Sequence, residues 1–159
     1  MTAMPRPTRL ALLATLAATS AALAAFVAGA PLPTAAYLLL FTGLFALRVA
    51  GQIGVRLLRP SWLPPMAEWN FVPYRILLPA QLVILVLMAV LVLDVVRPGN
   101  AVARGVIGCA VVYWAAMALR YAVRMTRRPE QRWLGGTIPI VFHCVLAGFL
   151  FVLGASHAS

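Results

Sequence analysis

Residues 44–60 have the sequence LFALRVAGQIGVRLLRP. It begins as an apolar run of the kind that crosses a bilayer, and the same predicted helix then carries Arg48, Gln52, Arg56 and Arg59. An arginine inside an apolar segment costs free energy unless its side chain reaches water, an anion or a partner. The stretch therefore predicts a membrane helix with a polar face in a defined environment.

The composition of the whole chain agrees with this interpretation. Of the 159 residues, 64% are hydrophobic and 10% are charged, and the mean hydropathy is +0.97. A soluble domain contains about 25% charged residues. Because apolar stretches occur throughout, the sequence leaves no room for a separate soluble domain, and we predict a single integral membrane domain over 1–159.

Five stretches are long enough to cross a membrane, which takes about 20 apolar residues in a helix. They are 10–30, 34–55, 76–93, 105–123 and 134–154. We therefore predict an all-α, polytopic bundle of five transmembrane helices. The connection 59–75 contains four prolines together with tryptophan, phenylalanine and tyrosine, so it is predicted to be an interfacial loop on the cytoplasmic side.

The first stretch also has features of a signal peptide. Arg6 and Arg9 precede it, and Ala28-Gly29-Ala30 resembles a cleavage site. Its apolar run is longer than the usual core of a signal peptide, and Pro31 would follow the cut directly. These two features favour a retained anchor, and cleavage remains the alternative.

The distribution of the arginines predicts an orientation. All thirteen basic residues are arginine, and eleven of them lie at one side if the N-terminus is inside and the C-terminus outside. Only Arg97 and Arg104 then lie outside. Positive charge accumulates in cytoplasmic segments of membrane proteins. The arginine-only usage and the abundant alanine indicate a GC-rich genome of the kind found in bacteria. We therefore predict a multi-pass protein of the bacterial inner membrane.

The second stretch has two different faces. At 100° per residue, the polar residues of 44–60 fall within a face of about 80°. The opposite face carries small residues: Gly43, Ala46, Ala50 and Gly54. Small residues let membrane helices approach closely, so we expect this helix to pack through its small face and to turn its arginines elsewhere.

The predicted cytoplasmic side is strongly basic and suits an anion. Glu68 and Glu130 are its two carboxylates, which cannot neutralise eleven arginines. We predict that anionic membrane lipids are partners there, whereas the net charge of +10 follows from orientation and does not predict nucleic-acid binding. The alternative is that these arginines only set the topology and anchor headgroups. The predicted anion or headgroup site consists of Arg48, Gln52, Arg56, Glu68, Arg75, Arg120 and Arg124.

His143 is the most suggestive single residue, because it lies about 14 Å into the fifth stretch, near its middle. Tyr113 and Gln81 lie at comparable depths, and with His143 they form a predicted intramembrane polar cluster. One interpretation is a neutral histidine packed through an interhelical hydrogen bond, and the other is a proton-relay or ligand role. No cofactor and no metal site is predicted, although His143 could supply a single axial ligand to haem.

The residues favour a non-enzymatic role over catalysis, because no Ser/His/Asp, GxSxG or P-loop pattern occurs. The leading hypothesis is an accessory or binding subunit of a larger membrane complex, or a lipid-associated protein, with other membrane subunits or a second copy as partners. The first alternative is an enzyme or carrier acting on an anionic lipid-linked substrate at the cytoplasmic face. The second is a redox or proton-handling subunit that uses His143.

Overall fold

The computed structural model describes residues 6–58, 74–94, 97–127 and 137–158. The described residues form five helices: α1 (Arg6–Val27), α2 (Thr34–Leu58), α3 (Tyr74–Val92), α4 (Asn100–Arg127) and α5 (Thr137–His157). The prediction of an all-α chain with five helices is confirmed. Helices α1, α2, α4 and α5 are long and apolar enough to cross a membrane, whereas the apolar part of α3, Ile76–Val92, is shorter.

The helix ends differ from the predicted ones for local reasons. Helix α1 ends at Val27, where Gly29 adopts a φ of +70° and the N–H groups of Gly29 and Ala30 bond back to the carbonyls of Phe26 and Ala25. This is the Schellman pattern, which a glycine in the left-handed region allows. Helix α4 extends beyond the predicted 105–123 at both ends, because arginine is a good helix former and does not end a helix by being charged.

Helix α5 is the centre of the bundle. It packs against α4, α2 and α1, whereas α3, within the described part of the chain, packs against α2 alone. The largest cluster of buried residues includes Phe41 and Phe45 of α2 with Val145, Phe149 and Val152 of α5. Small residues on α5 allow these close approaches. A Cβ atom at Gly154 would lie 2.8 Å from the carbonyl oxygen of Ala103 in α4.

The prediction that α2 packs through its small-residue face is wrong. Arg48 and Gln52 are 6% and 0% exposed, whereas Gly43 is exposed and a Cβ atom there would meet nothing within 4 Å. The face that carries Arg48 also carries Phe41 and Phe45. Large aromatic side chains gain far more dispersion contacts on packing than glycine or alanine do, so α2 turns its aromatic and polar face inward and leaves its small face outward.

Candidate functional site

The candidate site is centred on Arg48 of α2. The Cζ atom of its guanidinium group lies 5.3 Å from the centre of the Phe142 ring of α5, in a cation–π arrangement. Its Nε and Nη1 atoms are buried and have no hydrogen-bond partner among the described residues. The side chain is therefore held in the bundle by an aromatic ring, and its Nε and Nη1 atoms are still able to donate hydrogen bonds.

A cavity of about 300 Å³ lies beside Arg48, between α1, α2 and α5. Helix α1 contributes Thr8 and Thr15, and the Thr15 hydroxyl already donates to the carbonyl of Ala11 in its own helix. Helix α2 contributes Gly51 beside Arg48, and the wall is otherwise apolar. Arg48 is the only charged side chain among the described residues that line this cavity.

Asp94 is the one acidic residue in the described part of the chain, and it lies far from Arg48. It pairs with Arg97, and one of its oxygens lies 3.8 Å from Nε2 of His157 at the end of α5. His157 is 15 residues from Phe142 along α5, which corresponds to about 22 Å. Asp94 therefore cannot neutralise the guanidinium group of Arg48.

Tyr113 and His143 form a hydrogen-bonded pair between α4 and α5. The Oη atom of Tyr113 lies 2.5 Å from Nδ1 of His143. One residue further along both helices, the indole N–H of Trp114 donates to the carbonyl of Cys144 at 3.2 Å. Gln81 does not join this pair. It is buried on α3, which contacts α2 and, within the described ranges, neither α4 nor α5.

Arg48 and the Tyr113–His143 pair belong to the same electrostatic environment. The positive charges of Arg48 and Arg120 are close enough to act on both His143 and Tyr113. The sequence had suggested two separate groups of polar residues, one for an anion and one in mid-membrane. The structure places members of both groups within electrostatic reach of one another.

The other residues of the predicted anion site occupy different surroundings. Gln52, one turn from Arg48, is fully buried, and both polar atoms of its amide have no partner among the described residues. Arg56 and Arg120 are exposed, and Arg124 is half-buried. The backbone of Arg75 belongs to the first turn of α3. Glu68 and Glu130 lie outside the described residues, as does the predicted interfacial loop up to residue 73.

Sequence reasoning missed the partners that surround Arg48. Phe142 is one apolar residue among many in α5, and nothing in its neighbourhood indicates a contact with α2. Thr8 and Thr15 line the same cavity as Arg48 and belong to α1. Their spacing of seven residues places them on the same side of a helix, which was the one signal that α1 has a polar stripe.

A second groove of about 410 Å³ lies between α1 and α4, over α5. Its wall includes Leu16 of α1, Trp114 and Ala118 of α4, and Cys144 of α5. No charged side chain is among its described lining residues. Its polar lining side chains include Tyr121 and Thr137, so among its described residues this groove offers mostly apolar contacts and no cation to pair with an anion.

The Tyr113–His143 hydrogen bond makes a prediction about stability. Tyr113→Phe should lower the free energy of unfolding by about 1 kcal/mol, because it leaves Nδ1 of His143 without its partner. His143→Gln should cost less, since an amide can still bond to the Tyr113 hydroxyl. Thermal unfolding of the detergent-solubilised protein, followed by circular dichroism, measures both. Tyr121→Phe on the exposed side of α4 is the matched control, and an equal loss there would refute the role of the pair.

The arrangement around Arg48 suits the binding of an anion more than proton transfer. The described polar side chains of the cavity are Arg48 and two threonines, with neither a carboxylate nor an imidazole to carry a proton. A buried cation with unpaired N–H groups is stabilised when an anion accepts hydrogen bonds from it.

No family model, no curated protein and no solved structure matches the chain.

Proposed function

We propose that this chain is a small, non-enzymatic membrane protein that binds an anion within its helical bundle, as a lipid-associated protein or as an accessory subunit of a larger membrane complex. The observation that carries the proposal is the buried guanidinium group of Arg48, whose Nε and Nη1 atoms lack a partner among the described residues beside an apolar cavity. Anionic membrane lipids are the ligand class that this chemistry favours.

The proposal includes an arrangement in the membrane. All five helices cross the bilayer, since the 17-residue apolar segment of α3, Ile76–Val92, reaches the lower end of the length that spans the hydrocarbon. The N-terminus lies in the cytoplasm and the C-terminus outside. The unequal distribution of arginines supports this orientation, and the bacterial inner membrane is the location that we propose.

The energetic argument starts from the cost of a buried charge. An arginine in mid-membrane costs about 2.5–3.5 kcal/mol on insertion scales. The ring of Phe142 offsets part of this cost, about 0.5–2 kcal/mol for a cation–π contact. A bound anion would supply the missing counter-charge and accept hydrogen bonds from Nε and Nη1. The binding of an anion is therefore the function that best accounts for retaining an arginine at this position.

A second candidate function is proton handling or redox chemistry at His143. The observation that favours it is the hydrogen bond between His143 and Tyr113, which lies within the influence of two positive charges. Ionisable groups inside membrane bundles are often functional. Under this candidate, His143→Gln would abolish a proton-linked or spectroscopic signal while the protein still accumulates.

The proposed function is tested by measuring lipid binding to the purified protein. Native mass spectrometry in mild detergent should show dioleoyl phosphatidylglycerol binding about tenfold more tightly than dioleoyl phosphatidylcholine, which corresponds to about 1.4 kcal/mol. Arg48→Leu should remove this preference. Arg104→Leu, which removes an exposed arginine at the opposite end of the bundle, should keep it. Unchanged preference in the Arg48 variant would refute the proposed function.

A further inference from the structure

We infer that the cavity beside Arg48 holds the apolar chain of the bound anion, and that this ligand enters from the bilayer between α1 and α2. The inference rests on the proposed function and makes its ligand more specific. It assigns the site to a lipid anion, whose charged group contacts Arg48 and whose chain fills the cavity. A free inorganic anion would use the guanidinium group alone.

The walls of the cavity support a chain as the occupant. Apart from Arg48 and the two threonines, the lining side chains are apolar and come from three helices: Ala11, Leu12, Leu47, Ala50, Ile138 and Phe142. Apolar walls that face empty space lose dispersion contacts. A hydrated inorganic anion cannot restore these contacts, whereas a hydrocarbon chain can. The volume of about 300 Å³ lies at the lower end of the range for ligand sites.

The position of the opening supports entry from the bilayer. Leu47 lines the cavity and is 67% exposed, and Ala50 and Ala11 are also exposed on the outer surface of the bundle. The outer surface of a membrane bundle faces lipid chains. Helices α1 and α2 contact each other at far fewer positions than α4 and α5 contact each other. A chain can therefore enter sideways between α1 and α2 without leaving the hydrocarbon.

Gly51→Leu tests the position of the chain without altering Arg48. A Cβ atom at Gly51 meets nothing within 4 Å, and the residue lines the cavity, so a leucine side chain would occupy space that the chain needs. Leucine is also the better helix former, by about 1 kcal/mol, so the fold should not be weakened. Gly43→Leu is the matched control on the same helix, because a Cβ atom there also meets nothing within 4 Å and the residue does not line the cavity.

Binding of dioleoyl phosphatidylglycerol and of inorganic phosphate should be measured for each variant in detergent. We expect Gly51→Leu to weaken lipid binding about tenfold, or about 1.4 kcal/mol, and Gly43→Leu to leave it unchanged. Ala118→Leu, which fills the groove between α1 and α4, should also leave it unchanged. Inorganic phosphate should compete poorly with the lipid in the wild type, and Gly51→Leu should leave the binding of phosphate unchanged.

The outcomes separate this inference from the proposed function. Normal lipid binding by Gly51→Leu together with loss in Arg48→Leu would overturn the chain position and keep the anion site. Loss in Ala118→Leu alone would overturn it in favour of the second groove. Competition by inorganic phosphate as strong as by lipid would show a site for a free anion. Normal binding by both Arg48→Leu and Gly51→Leu would refute the proposed function as well.

Discussion

Arg48→Leu is expected to stabilise the lipid-free protein, raising its free energy of unfolding by about 0.5–3 kcal/mol. Arg48 is 6% exposed, and two of its guanidinium nitrogen atoms lack a partner among the described residues. Leucine fills much of the same space without a charge. The lost contact with Phe142 reduces the gain, because a cation–π interaction contributes about 0.5–2 kcal/mol.

The same substitution should remove the stabilisation that lipid provides. A ligand that binds only the folded state at 100 times its dissociation constant adds about 2.7 kcal/mol. The wild type should therefore gain stability when dioleoyl phosphatidylglycerol is added, and Arg48→Leu should not. The variant would be the more stable protein without lipid and would lose this advantage when lipid is present. Such an exchange of stability against binding is expected where a buried charge is kept for a ligand.

Thermal unfolding followed by circular dichroism, with and without the lipid, measures both effects. Arg104→Leu is the control, because Arg104 is exposed and an exposed substitution changes stability by about 0.5 kcal/mol or less. A clear loss of stability in lipid-free Arg48→Leu would contradict the prediction. It would mean that a group of the protein itself neutralises this arginine.

The number and type of the elements follow from local sequence properties. Four of the five helices are long and apolar enough to cross a membrane, and all five form where the apolar stretches lie. The charges led to the wrong boundary for α4, because the helix continues through Arg124 to Arg127. A change from apolar to charged residues predicts where a helix leaves the hydrocarbon, and it does not predict where the helix ends.

The rotation of α2 could not be predicted from its polar and small residues alone. Helical periodicity correctly separates a polar face from a small-residue face, but it does not say which face meets a neighbour. That choice depends on α5, whose Gly148 accepts the Phe41 ring at 3.0 Å from the position of a Cβ atom. A glycine more than 100 positions away thus leaves room for an aromatic ring on the buried side of α2, and no short-range pattern contains that information.

The candidate site was predicted only in part, because the sequence again does not show which helices are neighbours. Depth along the helices placed Tyr113, His143 and Gln81 at one level, and the first two do meet. Gln81 lies elsewhere because α3 packs on α2 and, within the described residues, not on α4 or α5. Depth is a property of one helix, whereas neighbourhood is a property of the bundle. The same limit explains why Phe142 was not linked to Arg48.

The proposed orientation makes an all-or-none prediction. In a background with Cys109→Ala and Cys144→Ala, an impermeant maleimide added to intact cells should modify Gly99→Cys and leave Thr126→Cys unmodified. Both positions are exposed, one just before α4 and the other near its end. They are 27 residues apart, or about 40 Å along a helix, which exceeds the hydrocarbon thickness of about 30 Å. After the cells are permeabilised, both variants should react, which controls for accessibility.

Labelling of Thr126→Cys in intact cells would reverse the orientation and would place eleven arginines outside, against the usual bias of membrane proteins. It would also move the Arg48 cavity from the cytoplasmic half of the bilayer to the outer half. Arg48 lies 10 residues before the end of α2, or about 15 Å from it. The leaflet that supplies an anionic lipid to this arginine is therefore decided by the same labelling reaction.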